Sequence, residues 1–320
     1  MHNLTYDYSQ LSSDSVAQLI SENYNIGEDI RCHFYVRGLH DNYLVNDGEK
    51  YILRIYRNSW RSSEDINFEL ELLAHLAERK ARVAAPRYTK TGNLCFQIDY
   101  PEGARKAALF SYAKGFAPGK EISIRQSNLL GATVAEMHQL GSQFETSHHR
   151  QPLDVPYLLD ESVQVILAFL CTDQQNYVLR LQDSIRRALT ALDLEDRTMV
   201  FCSGDVNPTN FHINENQEIT LFDFDQCGWG YRAFEIAKFI ASLHNVAHRE
   251  EKSKAFIDGY QGIFPITPVE ISTIPHFVQV AHLWVMAIHV YNSSHIGYKY
   301  LERTFWDQQL AKLKQLELLE

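Results

Sequence analysis

Strand-like and helix-like periodicities are unevenly divided along this chain, and that division limits the architectures open to it. Runs with a period of two crowd the first third, as IRCHFYV, NYLVN and KYILRIY, then LCFQIDY and AALFSYA. Asp47-Gly48 between the second and third runs is a tight-turn signal, because glycine accepts positive φ, so these two runs form a hairpin. Ser12 or Ser13 caps a first amphipathic helix ending at Asn23, and the Ser62, Ser63, Glu64, Asp65 cluster opens another that runs to about Lys80. From about Ala117 the texture turns helical, in SNLLGATVAEMHQL, DVPYLLDESVQVILAFL and QNYVLRLQDSIRRALTAL. The expected class is α+β, a small β-rich N-terminal lobe with one main helix followed by a larger, mostly helical C-terminal lobe. YAKGFAPG, over residues 112–119, supplies two glycines and a proline, so the lobes are expected at 1–112 and 113–320.

A hydrophobic content of 45% over 320 residues suffices for two packed cores. MHNLTYDYSQLSSDS is polar and lacks the pattern of a signal peptide. The apolar run Phe277 to Tyr291 contains Gln279, His282 and His289 and falls short of the roughly 20 residues that span a bilayer, so it reads as a buried helix. Five scattered cysteines without a C-x-x-C pair argue against a disulfide framework or a zinc ribbon and fit a reducing cytoplasm. A formal charge of -10 disfavours nucleic acid and anionic membrane as partners. It tolerates a cationic substrate, and serves solubility equally well.

The helical half is interrupted by CSGDVNPTNFHINENQEITLFDFDQ, Cys202 to Gln226, which arranges Asp205, Asn210, Asp223 and Asp225 around a short hairpin. That layout suits magnesium-dependent phosphoryl transfer: a loop carboxylate orients a hydroxyl, while an amide and a second carboxylate hold a hard cation through oxygen. Asp223 and Asp225 share a face if the segment stays extended. Asp225 is then either a further ligand or an acceptor of backbone hydrogen bonds. His244 and His248 lack a third zinc ligand, and Cys202 lacks an evident base, so it reads as a packed strand residue.

The chain resembles the aminoglycoside phosphotransferase and choline kinase superfamily, small-molecule kinases with a two-lobed, protein-kinase-like fold. SGDVNPTN matches that family's catalytic loop at Gly204, Asp205 and Asn210, and its metal-binding Asp falls at Asp223 in LFDFD. The resemblance implies that Asp205 is the catalytic base and that Asn210 and Asp223 are magnesium ligands. Ser203 stands where the family commonly has His, and Glu235 in GWGYRAFEIAKFI stands where Asp is more usual. SNLLGATVAEMHQL is similar to the family's helix that ends in a His, here His138.

In the first lobe, YVRGLHDNYLVN resembles the family's nucleotide-covering hairpin, with Gly38 at the turn and Asn42 as a polar contact; a plain hairpin is the other reading. Arg54 occupies the place of the usual phosphate-directed Lys. Glu69, Leu72, Leu73 and Leu76 form one helical stripe, so Glu69 points inward and is expected to pair with Arg54. ATP is expected between the lobes near the hinge at Phe110, Ser111 and Tyr112, with Mg2+ bridging its phosphates. The expected acceptor is a small hydroxyl compound, an amino alcohol, a hydroxy amino acid such as homoserine, or an aminoglycoside-like amine. Trp284, Tyr291, Tyr298, Tyr300 and Trp306 line an amine pocket or sit as core and rim aromatics. A protein Ser/Thr kinase and a noncatalytic nucleotide-binding module are the other readings open.

Overall fold

The computed structural model describes residues 5–191 and 198–317. Met1 to Leu4 of the polar N-terminal stretch, and Leu192 at the end of a predicted helix, lie outside them. The chain divides into two compact units, residues 1–114 with 144–149, and residues 115–143 with 150–320.

In the first unit, Ser12 caps helix α1 (Ser13–Asn23) by accepting from the Ser15 amide. Strands β1 (Arg31–Arg37), β2 (Asp41–Asn46) and β3 (Lys50–Ile55) follow as a meander. The Asp47-Gly48 turn between β2 and β3 has φ +109° at Gly48, whose amide donates to Asn46 Oδ1. Helix α2 (Ser63–Glu78) starts in a reciprocal cap between Ser62 and Asp65. Strands β4 (Phe96–Ile98) and β5 (Arg105–Ser111) complete an antiparallel sheet in the order β1-β2-β3-β5-β4. Alternation sets the core: Tyr43, Val45, Leu53 and Ile55 are buried together with Val16, Ile20 and Tyr24 of α1 and its C-cap. Residues 144–149 strap onto α2: the Phe144 ring meets Phe68 and His75 edge-on, Thr146 donates to Glu71, and His148 bridges Glu64 and Glu71.

The second unit begins with α3 (Ile124–Gly141), again opened by a reciprocal cap, between Ser123 and Gln126. A π-turn, Pro156–Glu161, leads into α4 (Ser162–Leu167), and α5 (Thr172–Ala191) follows. Strand β6 (Met199–Cys202) pairs with β9 (Gly228–Tyr231), and between them β7 (Phe211–Ile213) pairs with β8 (Ile219–Leu221). GWGY is therefore a strand ahead of the helix expected there, α6 (Arg232–Ser242). Helices α7 (Arg249–Gln261), α8 (Pro268–Tyr291), α9 (Ser293–Ile296) and α10 (Arg303–Glu317) close the unit. α3 and α7 cross so closely that a Cβ on Gly131 would lie 2.0 Å from Phe256 O, and one on Gly259 2.0 Å from Asn128 O.

The apolar run read from Phe277 is part of a longer helix, because α8 carries Pro275 in its interior and reaches back to a Thr267–Glu270 cap. By length and composition α8 is long and apolar enough to cross a membrane, and 67% of its most apolar window is buried within the fold. Glu270 also receives Arg232 Nη2 at 2.8 Å. Burial pushes the Glu270 carboxyl up, but the Arg232 and Thr267 hydrogen bonds outweigh it and hold the pKa below the ordinary carboxylate value. This pair's stabilisation is therefore complete above the ordinary carboxylate range and is lost as pH falls through the lowered value. Glu270→Gln leaves a buried guanidinium without its carboxylate, and a loss of about 3 kcal/mol is expected in urea unfolding at pH 7, unchanged down to the ordinary carboxylate range and shrinking only below it.

Candidate active site

The loop after β6 is built to hold one carboxylate in one place. Gly204 has φ +80°, and a Cβ there would lie 2.0 Å from Gln226 O, so no larger residue fits the turn. Asp205 follows it. Asn210 Nδ2 donates to Asp205 O at 3.0 Å and to Oδ2 at 2.9 Å, and Lys238 Nζ of α6 lies 2.9 Å from Oδ1. Lys238 is buried, with its ammonium 5.1 Å from the Trp284 ring centroid.

Asn210 is the last residue before β7, and Asp223 comes two residues after β8. The Phe222 amide donates to Asn210 O at 3.0 Å, so the open end of the hairpin brings Asn210 beside the segment carrying Asp223. Asn210 turns its NH2 to two oxygens of Asp205, and its Oδ1 accepts from Thr209 Oγ1 at 3.5 Å. Asp223 is half-buried with φ +64°. The chain is not extended there, so the condition for Asp223 and Asp225 to share a face is not met. Asp225 is 4% exposed, and its carbonyl accepts from Arg150 Nη2.

Glu235 of α6 clamps the loop from beneath. Its carboxylate accepts from the Ser203 amide, from Ser203 Oγ at 3.1 Å and from the Gly204 amide at 3.1 Å. His138 Nε2 lies 3.5 Å from Glu235, and Tyr260 OH lies 2.7 Å from His138 Nδ1, so both ring nitrogens have a partner. His138, Cys202 and Glu235 bring ligand atoms within 4.8 Å of one another. Burial, with the charge of Glu235, pushes the Cys202 thiol well up, so it stays a packed strand residue.

A cavity of about 350 Å³ adjoins Asp205 within the second unit, lined by Thr209, Lys238, Val246, His282, Val285 and Lys312 among others. Of the aromatics read as pocket or as core and rim, Tyr291, Tyr298 and Tyr300 are exposed. Trp284 and Trp306 are buried, Tyr298 is 74% exposed, and the protein's own Lys238 lies over the Trp284 face.

In the first unit, Arg54 Nη1 pairs with Glu69 Oε1 at 3.1 Å, and Tyr56 OH donates to the other Glu69 oxygen at 3.2 Å. The inward carboxylate is thereby satisfied on both sides. Arg54 stands opposite Asn42 in the β2–β3 register, and Asn42 Nδ2 reaches His40 O at 3.4 Å. Gly38 sits in the exposed β1–β2 turn, where a Cβ would meet nothing within 4 Å. Ser111 is engaged through both its amide and its hydroxyl with Ala85, and the Tyr112 ring lies 5.5 Å from Lys50 Nζ. Sequence reasoning did not single out Lys238, Lys312 or Arg150. Its one relevant signal was the pair of departures at Ser203 and Glu235, which touch each other.

Residues 36–267 match the profile of the phosphotransferase enzyme family. An uncharacterized protein of Synechocystis sp. is 37% identical over 313 residues, 97% of this chain and 86% of its own length. Among solved structures, a microcompartment-associated aminopropanol kinase superposes with TM-score 0.78 at 19% identity, covering 96% of each chain. Amicoumacin kinase hAmiN, in complex with AMP-PNP, Ca2+ and Ami, gives TM-score 0.77 at 21% identity over 96% of this chain and 93% of its own. The fold, a β-sheet N-terminal region followed by a helical C-terminal one, is the kinase-like fold of these proteins. On the match over residues 36–267, the chain belongs to the phosphotransferase enzyme family.

Proposed function

We propose that Asp205 orients and deprotonates the hydroxyl of a small metabolite for attack on the γ-phosphorus of ATP. The observation that carries this is the triple hold on Asp205, from Asn210, Lys238 and the clamped Ser203-Gly204 turn, beside a cavity open to a small molecule. The acceptor oxygen forms a bond to the γ-phosphorus as the bond to the bridging β–γ oxygen breaks, its proton passes to Asp205, and ADP leaves. Lys238 Nζ, 2.9 Å from the same carboxylate, holds it aimed.

Asn210 Oδ1 and Asp223 are the residues we assign to a magnesium ion, and their hard oxygens fit that cation. When bound, it neutralises charge on the β- and γ-phosphates. Asp225 supports the loop from its buried position. In the first unit, Arg54, braced by Glu69, is assigned to the α- and β-phosphates, with Gly38 and Asn42 covering the nucleotide and Ser111 and Tyr112 near its base. The lobes at 1–112 and 113–320 thus divide nucleotide binding from acceptor chemistry. A cytoplasmic location follows from the need for ATP and from the unpaired cysteines.

A cavity of this volume suits an amino alcohol or a hydroxy amino acid. The test is ADP release over a panel of amino alcohols, hydroxy amino acids and aminoglycosides, with and without Mg2+. Turnover is expected for a small member only. Asp223→Ala is expected to raise the magnesium concentration for half-maximal rate by about tenfold or more. An unchanged magnesium dependence removes Asp223 from the metal site.

A further inference from the structure

The cavity beside Asp205 runs against the sign of the whole chain. Lys120, Lys238 and Lys312 line it with a single carboxylate, Asp205, although the formal net charge is -10. Lys238 is committed to that carboxylate at 2.9 Å. Lys312 is not. It projects from α10, is half-buried, and among the described residues pairs with no carboxylate. Its charged neighbours are cations: burial first, then Arg249 and Lys238, lower its pKa from the ordinary lysine value. Arg249 itself has a buried Nη2 without a hydrogen-bond partner. His282, on the cavity wall, donates from Nε2 to Gln309 O, and burial drops its pKa to about 3, so it is neutral.

A half-buried ammonium beside other cations costs free energy that an anion in the same cavity would return. Neither Asn210 nor Asp223 lines this cavity, which meets the residues assigned to the metal through Asp205 and Thr209, both in contact with Asn210. Its walls include Val246, Ala281 and Val285, which suit a short carbon chain. We propose that the phosphate acceptor is a small hydroxy acid, with its hydroxyl at Asp205 and its carboxylate paired with Lys312. This rests on the assignment of Asp205 to the acceptor hydroxyl. It narrows the acceptor to molecules bearing a carboxylate, with or without an amine, and it disfavours polycationic aminoglycosides, which would face the lysines.

The test uses matched pairs in which only the carboxylate is changed: L-homoserine with 2-aminobutane-1,4-diol, 4-hydroxybutyrate with 1,4-butanediol, and D-glycerate with glycerol. Calorimetry of the full chain with Mg2+ and a nonhydrolysable ATP analogue gives the affinities, and ADP release gives turnover. At least one acid is expected to bind about tenfold or more tightly than its alcohol, as one half-buried charge pair provides. Lys312→Gln is expected to erase that preference and Lys312→Arg to retain it. The wild-type comparison stands by itself if Lys312→Gln does not fold. Alcohols matching or exceeding the acids in every pair, a preference that survives Lys312→Gln, or no binding by any member overturns the proposal. Phosphorylation of amino alcohols alone removes the hydroxy-acid inference and keeps the Asp205 reading. Lys312-dependent binding of acids without ADP release above the Asp205→Asn level does the reverse.

Discussion

Asp205→Asn lowers kcat by about 100- to 10,000-fold at saturating acceptor, the range expected when a positioned base is replaced by an amide that cannot take the proton. The substitution keeps the shape of the side chain and one oxygen for Lys238 Nζ, now 2.9 Å away. The backbone contact from Asn210 Nδ2 to Asp205 O is untouched. What is lost is the charge on the bond to Lys238 and the bond from Asn210 Nδ2, which now meets a second donor in place of Oδ2, so thermal unfolding reports a change of about 1–3 kcal/mol. The two readouts must therefore separate: activity collapses while the fold persists. A variant retaining more than a tenth of the wild-type kcat in a coupled ADP assay would show that Asp205 does not carry the proton.

That separation bears on what could be read along the chain. Strands and caps were legible because their causes are local: alternation across β2 and β3, a Ser62–Asp65 box, a glycine in the turn after Asp47. Glu69 was legible because helical spacing placed a carboxylate on an apolar stripe, where it needed a partner, and Arg54 meets it at 3.1 Å. Lys238 was hidden for the converse reason. It sits on the buried face of α6, where the packing of α6 against the loop after β6, not any sequence spacing, sets the 2.9 Å contact with Asp205. Lys312 is similar, on the last helix and identified only by its cationic surroundings. The shared face of Asp223 and Asp225 was conditional on an extended segment, and φ +64° at Asp223 removes that condition. A left-handed aspartate leaves no mark in composition or period.

Glu235→Ala is the other large effect, and its size follows from what the carboxylate leaves behind. The amides of Ser203 and Gly204 both donate to it inside the protein, as does Ser203 Oγ. Each orphaned buried donor costs about 1–3 kcal/mol, so a loss of about 3–5 kcal/mol is expected in urea unfolding, with kcat falling as the Asp205 loop loosens. Glu235→Asp is the sharper test. It keeps the charge but withdraws it by about 1.5 Å, one carbon–carbon bond, from three donors already at hydrogen-bond distance. The two departures from the resembling family's pattern then become one: a short Ser203 is matched by a long Glu235, and the bond at 3.1 Å joins them. On that reading Glu235→Asp alone lowers both stability and kcat, and adding Ser203→His to it recovers part of each. Energies that simply add in the double variant would mean that the two positions do not interact, and that the turn at Gly204 is held by its backbone alone.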